Sequence, residues 1–281
     1  MTQRIPSLQG GTDMGEPEQP LDYLPLPREM NTFELPVFPD IDNLDDYQQA
    51  LVFLHQLEQL LDASALQEAG MLSLDTLSPE EMTLIQELLG EGEVAIRFQD
   101  PALPEIQETR LAGVWWVRQR REDQWQQWLE VARIPKAVIR YTFAKARRPP
   151  IDLQGEAAWC NAAPVMTELL EASLRLDRGD ASDADKVVNL SLLPFTVEDH
   201  QLLAEYLGTG ETLVLSRGYG NCRITSTATP WIWRVQYFNN TEQLILDTLE
   251  VTRVPEVACA AREDLEDSAE RLREIKELLY V

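Results

Sequence analysis

One stretch of this sequence gathers residues suited to chemistry: Ser216-Arg217-Gly218-Tyr219-Gly220-Asn221-Cys222-Arg223-Ile224-Thr225-Ser226-Thr227. Gly218, Gly220 and Asn221 are the residues of a tight turn between two strands. Two readings of the stretch stand: it is a tight turn with no further role, or Arg217, Tyr219, Asn221, Cys222 and Arg223 set around it present a polar recognition edge for a partner. Two arginines beside a small-residue turn hold a carboxylate or a backbone carbonyl by directional hydrogen bonds. The stretch is not a phosphate loop, because the Lys-Ser/Thr ending is absent. Two readings of Cys222 stay open. It is a small core residue of a strand, or its neighbour Arg223 lowers its pKa and makes it reactive or a soft-metal ligand.

Few other residues invite catalysis. Three cysteines, Cys160, Cys222 and Cys259, are scattered and form no C-x-x-C pair. The two histidines, His55 and His200, are far apart in sequence. A closed zinc site within one chain is therefore not expected, and Cys222 is the one weak metal candidate. Cys259 sits in Val257-Ala258-Cys259-Ala260-Ala261 and reads as buried. His55 reads as a surface residue and His200 as a packed one. Trp115, Trp116, Trp231 and Trp233 read as sheet and core residues. Carboxylates are plentiful, but none pair as general acid and base, and no Ser/His/Asp set stands out. The expectation is a protein that binds, with no enzyme activity and no cofactor.

The elements that position these residues repeat. Leu72-Ser73-Leu74 recurs as Leu190-Ser191-Leu192, a shift of 118, and over 72–98 against 190–216 ten of 27 positions are identical. At the same shift Val114-Trp115-Trp116-Val117 meets Ile232-Trp233-Arg234-Val235, and after a two-residue insertion Leu129-Glu130-Val131 meets Leu249-Glu250-Val251. Each copy reads alike. An N-cap, Asn43 or Asn161, opens a helix, the first over about 44–62. A strand follows (Met71–Leu74; Val187–Leu192). A second helix then starts on Ser78-x-x-Glu81 or the weaker Thr196-x-x-Asp199. Gly90 and Gly208 stand where a left-handed residue closes that helix.

Further strands are expected at Val94–Phe98, Gly113–Arg118 and Trp128–Arg133, then at Thr212–Ser216, Cys222–Thr227, Trp231–Phe238 and Leu244–Arg253. Short links favour antiparallel pairing. In copy one, the stretch from Phe98 to Glu105 is proline-containing and unlike the polar turn of copy two. The fold class is α+β: a tandem duplication of a unit with helices packed on a mainly antiparallel sheet, closed by a C-terminal helix. That helix carries an apolar stripe of Leu265, Ala269, Leu272, Ile275 and Leu279. The expected organisation is an acidic, proline-rich, partly disordered leader (1–42), a first repeat (43–142), a basic linker (143–159), a second repeat (160–261) and the terminal helix (262–281).

Charge narrows the partners. The 281 residues include 48 acids against 24 bases, a net −24. Phosphate neutralisation needs a cationic surface, so nucleic-acid binding is not expected. No apolar run approaches the ~20 residues of a spanning helix, and Met1 to Gln19 lacks an apolar signal core. A soluble cytoplasmic protein with free thiols follows as the expectation. Residues 1–70 hold 13 acids and 2 bases, whereas 132–150 hold six bases and no acid. The basic stretch reads first as an intramolecular partner of the acidic leader, and second as a docking linker.

The residues from Leu207-Gly208 through the Ser216–Thr229 stretch, Trp231-Ile232-Trp233-Arg234-Val235 and Val254-Pro255-Glu256-Val257-Ala258-Cys259-Ala260-Ala261 resemble the HupH/HyaF family of hydrogenase expression and maturation proteins. The resemblance covers about 185–279 specifically. It implies an accessory chaperone for a membrane-bound [NiFe] uptake hydrogenase, encoded with it. The implied client is the iron–sulfur small-subunit precursor with its twin-arginine export signal. The large subunit and other maturation accessory proteins are further implied partners. It implies no catalytic residues. A metal or iron–sulfur carrier using Cys222 is the alternative, and the oligomeric state stays open.

Overall fold

The computed structural model describes residues 44–64, 69–149, 161–179, 186–217 and 221–279. The leader, Asn43, Cys160, most of the basic linker and the Gly218-Tyr219-Gly220 turn lie outside the described residues. In the first half a 3-10 turn (Leu44–Tyr47) runs into α1 (Gln48–Ser64). Then come β1 (Gly70–Ser73), α2 (Pro79–Leu89), β2 (Val94–Phe98), β3 (Glu105–Glu108), β4 (Val114–Arg121), β5 (Gln124–Val131) and α3 (Lys136–Tyr141). The second half runs through α4 (Ala162–Asp177), β6 (Lys186–Asn189), α5 (Val197–Leu207), β7 (Thr209–Ser216), β8 (Asn221–Thr227), β9 (Ile232–Phe238) and β10 (Leu244–Val251). A 3-10 turn (Glu256–Ala258) stands in the place of α3, and α6 (Arg262–Leu279) ends the described chain.

The ten strands form one antiparallel sheet in the order β1-β5-β4-β3-β2-β7-β8-β9-β10-β6. The class is α+β. The second half reverses the order of the first, so β2 and β7 join the halves at the centre. There Ile96 faces Val214, flanked by Ala95 opposite Leu215 and Arg97 opposite Leu213. Ile96 and Val214 are one position under the 118 shift. A pseudo-two-fold axis therefore passes through that pair, as in an isologous contact between subunits.

Both capping boxes form. Ser78 Oγ accepts from the Glu81 amide while Glu81 Oε2 accepts from the Ser78 amide, and Thr196 with Asp199 does the same. Gly90 and Gly208 close these helices with φ of 56° and 65°, but with ψ near ±175° rather than in the left-handed helical well. That extended, positive-φ region belongs essentially to glycine. Asn161 departs from expectation. Its backbone is helical and its side chain caps nothing; Nδ2 donates to Pro194 O and Asp199 Oδ2 instead.

The Leu-Ser-Leu identity proves to be out of register. Gly70 pairs with Val131 and Lys186 with Val251, so β1 matches β6 at a shift of 116, two residues short. Leu74 therefore corresponds to Leu190, and both are buried. The two extra residues are taken up at a three-residue 3-10 turn (Leu190–Leu192) that leaves Leu192 80% exposed, where a strand is expected. The first half also has a strand, β3, that is not among those expected and begins at the end of the proline-containing stretch. Strands β4 and β5 extend beyond expectation to a hairpin tip at Glu122-Asp123, both at positive φ (46°, 68°), as a two-residue mirror-image turn requires.

Three cores hold the body. On one face of the sheet, α1, α2 and α6 bury Leu54, Leu57, Leu84, Ile85, Leu129 and Val131 of the first half. On the same face of the second half, α4 and α5 bury Leu169, Leu203, Ile232 and Leu249. The opposite face carries one core common to both halves, with Trp115 and Trp233 fully buried among Ile96, Val214, Ile224 and Cys222.

The trailing segments cross over. The α6 stripe of Leu265, Ala269, Leu272, Ile275 and Leu279 lies in the first half's core, not the second's. Arg273 bridges Glu58 and Asp62 of α1, and Lys276 pairs with Glu58. Reciprocally, residues after α3 pack on the second half. Phe143 packs tilted against Trp231 and edge-on to Trp233, the Arg147 amide donates to Ala228 O, and Arg148 pairs with Asp177. The basic stretch thus meets acids of the body: Arg133 meets Glu256 (2.7 Å) and Lys145 meets Asp100 (3.1 Å).

Candidate functional site

Strand pairing sets a row of side chains across the centre of the helical face. Gln107, Ala95, Leu215, Arg223 and Gln236 stand abreast. Beside them run Arg97, Leu213, Thr225 and Arg234, with Glu105 and Arg118 paired at the first-half end. These residues alternate with the buried Ile96, Val214 and Ile224, so they face away from the shared core. All of them are exposed or half-exposed. Helices α2 and α5 frame this floor. Against α5 it forms a cleft of about 180 Å³ lined by His200, Ala204, Arg223, Thr225, Arg234 and Gln236. Against α2 it forms one of about 340 Å³ lined by Gln86, Glu91, Arg97, Gln107, Trp116 and Arg118. The 118 shift maps Gln86 onto Ala204, Gln107 onto Thr225, Trp116 onto Arg234 and Arg118 onto Gln236, so the two clefts are equivalent places.

Most of the floor's charges are engaged. Arg234 holds Asp247 through both Nε (2.9 Å) and Nη2 (2.5 Å), and this hydrogen-bonded carboxylate pushes the arginine further up. Arg118 pairs with Glu105 at 2.6 Å. Arg97 Nη1 donates to the carbonyls of Ile96 (3.0 Å) and Ile106 (3.2 Å). Arg223 lies 5.6 Å over the ring of Phe238 and makes no ion pair among the described residues.

The expected recognition edge divides between the two faces of the sheet. Arg217 follows β7, is exposed, and its amide donates to Glu93 O of the first half. Asn221 opens β8, exposed and opposite Phe238. Arg223 belongs to the floor. Cys222, between them on the strand, turns to the shared core instead, because adjacent strand residues point to opposite faces. Burial pushes its thiol up to about 11, the reverse of a lowered, reactive thiolate. Tyr219 lies outside the described residues. Cys259 is likewise pushed up to about 11 by burial, and its Sγ donates to Pro255 O. His55 is exposed, and His200 is half-buried edge-on to Phe195.

Arg97, Arg118, Leu213, Leu215 and Arg234 escape the sequence reading. Their signal is the period-two alternation of Val94-Ala95-Ile96-Arg97-Phe98 and Ile232-Trp233-Arg234-Val235-Gln236, which sets polar residues on one face. At the α2 end lies buried Glu108, another residue that reading missed. Burial pushes its carboxyl up to about 7 despite the Gly113 amide that donates to it, and Glu93 and Asp264 push the same way.

A two-half α+β body with an open sheet face framed by helices is the class that this geometry defines. The model of the HupH hydrogenase expression protein C-terminal conserved region matches residues 48–142 and 159–279, and the chain belongs to this family. It is 53% identical over 265 residues to the hydrogenase expression/formation protein HupQ of Azotobacter chroococcum mcd 1, covering 93% of each chain. It is 48% identical to HoxQ of Azotobacter vinelandii over 98% of this chain and 97% of that one. It is 29% identical to the hydrogenase-1 operon protein HyaF of Escherichia coli K12 over 94% and 93%. The solved structure of hydrogenase expression protein HupH from Thiobacillus denitrificans aligns with 43% of this chain and 96% of its own, at 27% identity and a TM-score of 0.37.

Proposed function

We propose that this protein is an accessory factor in hydrogenase expression and maturation that works by binding a hydrogenase polypeptide. Its client is the iron–sulfur small-subunit precursor of a membrane-bound [NiFe] uptake hydrogenase, held before export. Family membership and the names of the relatives support the hydrogenase role. The observation that carries the binding role is the open floor between α2 and α5, which in a folded body of this size is the central sheet face left without a helix among the described residues. Large sheet faces are ordinarily covered.

The net −24 suits a precursor whose export signal opens with basic residues, since opposite charge speeds encounter. Arg217 and Arg223, with Tyr219 and Asn221 between them, are the contact residues assigned to the client. The same proposal takes the halves, 43–142 and 160–261, as copies of one duplicated unit. The shared element order and strand pairing support this. No helix among the described residues is long and apolar enough to cross a membrane.

The test is affinity purification from cells expressing the hydrogenase operon, with the bound subunit identified by mass spectrometry. The small-subunit precursor is the expected partner. The double variant Arg217→Ala/Arg223→Ala is expected to lose at least tenfold of it. Full retention removes the contact assignment, and recovery of the large subunit alone removes the client.

A further inference from the structure

We infer that the floor between α2 and α5 is the seat of an acidic segment of the partner, with a carboxylate on Arg223 and an apolar side chain over Leu213 and Leu215. This deepens the binding role proposed above and rests on it. The whole chain carries −24, yet the floor holds Arg97, Arg118, Arg223 and Arg234 against Glu105 and Asp247 on the strands and Glu91 at the α2 cleft, with Glu108 buried at that end. A surface that is basic inside an acidic protein favours an acidic visitor over a basic one.

The pairing then selects the contact. Asp247 neutralises Arg234 from two directions. Glu105 neutralises Arg118. Arg97 is held on two backbone carbonyls. Arg223 keeps a guanidinium fork without a carboxylate among the described residues, with only the Phe238 ring beneath it. Thr225 and Gln236 line the same cleft and supply further hydrogen-bonding groups.

The equivalence of the halves makes the assignment specific. Arg223 takes the place of Glu105, and Leu215 that of Arg97. Each half of the strand floor carries two arginines and one acid, so the asymmetry lies in the pairing: the arginine left without a carboxylate or carbonyl partner among the described residues, Arg223, is in the second half, and a bound carboxylate has one favoured end. Ala95, Leu213 and Leu215 at its centre are half-exposed and belong to none of the cores. They offer the apolar contact. The basic export signal is then assigned to the acidic surfaces of the body, not to the floor.

The experiment uses the full chain with a benzoylphenylalanine photocrosslinker at Leu215, co-expressed with the hydrogenase operon. The crosslinked peptide is sequenced by mass spectrometry. The expected product is a hydrogenase segment with Asp or Glu within a few residues of an apolar one. Arg223→Glu is expected to reduce that product at least tenfold and Arg223→Lys severalfold less, with the melting temperature of each variant as the control for folding. Hydrogenase polypeptide that co-purifies but crosslinks through a basic segment, or does not crosslink at Leu215, overturns the inference and leaves the binding role standing. Crosslinking to a second copy of this chain also overturns it. Absence of any hydrogenase polypeptide removes the role itself, and the inference with it.

Discussion

Gly113 and Trp231 are equivalent positions, both at positive φ (78° and 65°), and they meet opposite packing demands. In the first half a Cβ at Gly113 would lie 2.3 Å from Leu265 of α6, so glycine makes room for the terminal helix. In the second half no such helix arrives among the described residues, and Trp231 fills the place with its own ring, against Phe143 and under Arg253. A bulky residue there is strained, so surrounding contacts must hold it. The central strands thus share one register while the covers of the two halves differ. The first half borrows a helix, and the second uses a tryptophan and the short segment after α3.

The largest effect expected from this difference lies in α6. Leu272 is fully buried in the first half's core. Leu272→Ala is expected to cost about 2–5 kcal/mol, the range for such cavities, in urea unfolding. A cost under about 0.5 kcal/mol, typical of a surface change, would make α6 a tail and dissolve the contrast.

Glu108 gives the next effect, because its equivalent, Ser226, is a hydroxyl satisfied by the Thr212 backbone. The folded pKa of about 7 exceeds the ordinary 4.5. Between those values the unfolded chain has released a proton that the folded chain keeps. Stability therefore falls as pH rises through this window, by about 3 kcal/mol at its upper end. Glu108→Gln keeps an acceptor for Gly113 and removes the charge. Its advantage over the parent protein is expected to grow from pH 4.5 to pH 7 and then level off, read from urea midpoints at a series of pH values. An advantage independent of pH would contradict this account.

The smallest effect is expected to be equal in both halves. Ser78→Ala and Thr196→Ala each remove one half of a formed capping box and are expected to cost about 1 kcal/mol apiece. Thermal melts that differ widely between the two would show that the helical layers differ more in energy than in geometry.

Local chemistry was legible in the sequence. The capping boxes, the amphipathic stripes and β2 from Val94 to Phe98 follow from neighbours a few residues apart, and they form as expected. What was not legible depends on distant pairing. The identity of Leu72-Ser73-Leu74 with Leu190-Ser191-Leu192 concealed an insertion, because only burial against other strands shows that Leu190 matches Leu74. Pro101 and Pro104 hid β3, which begins just after them and is four residues long. The floor could not be read at all without knowing that β2 meets β7, since Arg97 and Arg223 become neighbours on one surface only through that junction. Cys222 and Arg223, adjacent in sequence, were separated by the simplest rule of strands.

The crossing of the trailing segments also has a consequence in time. The first half's own strands and helices are complete by Tyr141, but α6, which finishes its core, begins at Arg262. At the usual 5–20 residues per second, a ribosome needs roughly 6–24 s to make the intervening chain. Through that interval the nascent first half holds Gly113 and the α1 surface uncovered. Folding of the first half is therefore completed only when α6 has been made, and a chain that stops before α6 leaves that half unfinished.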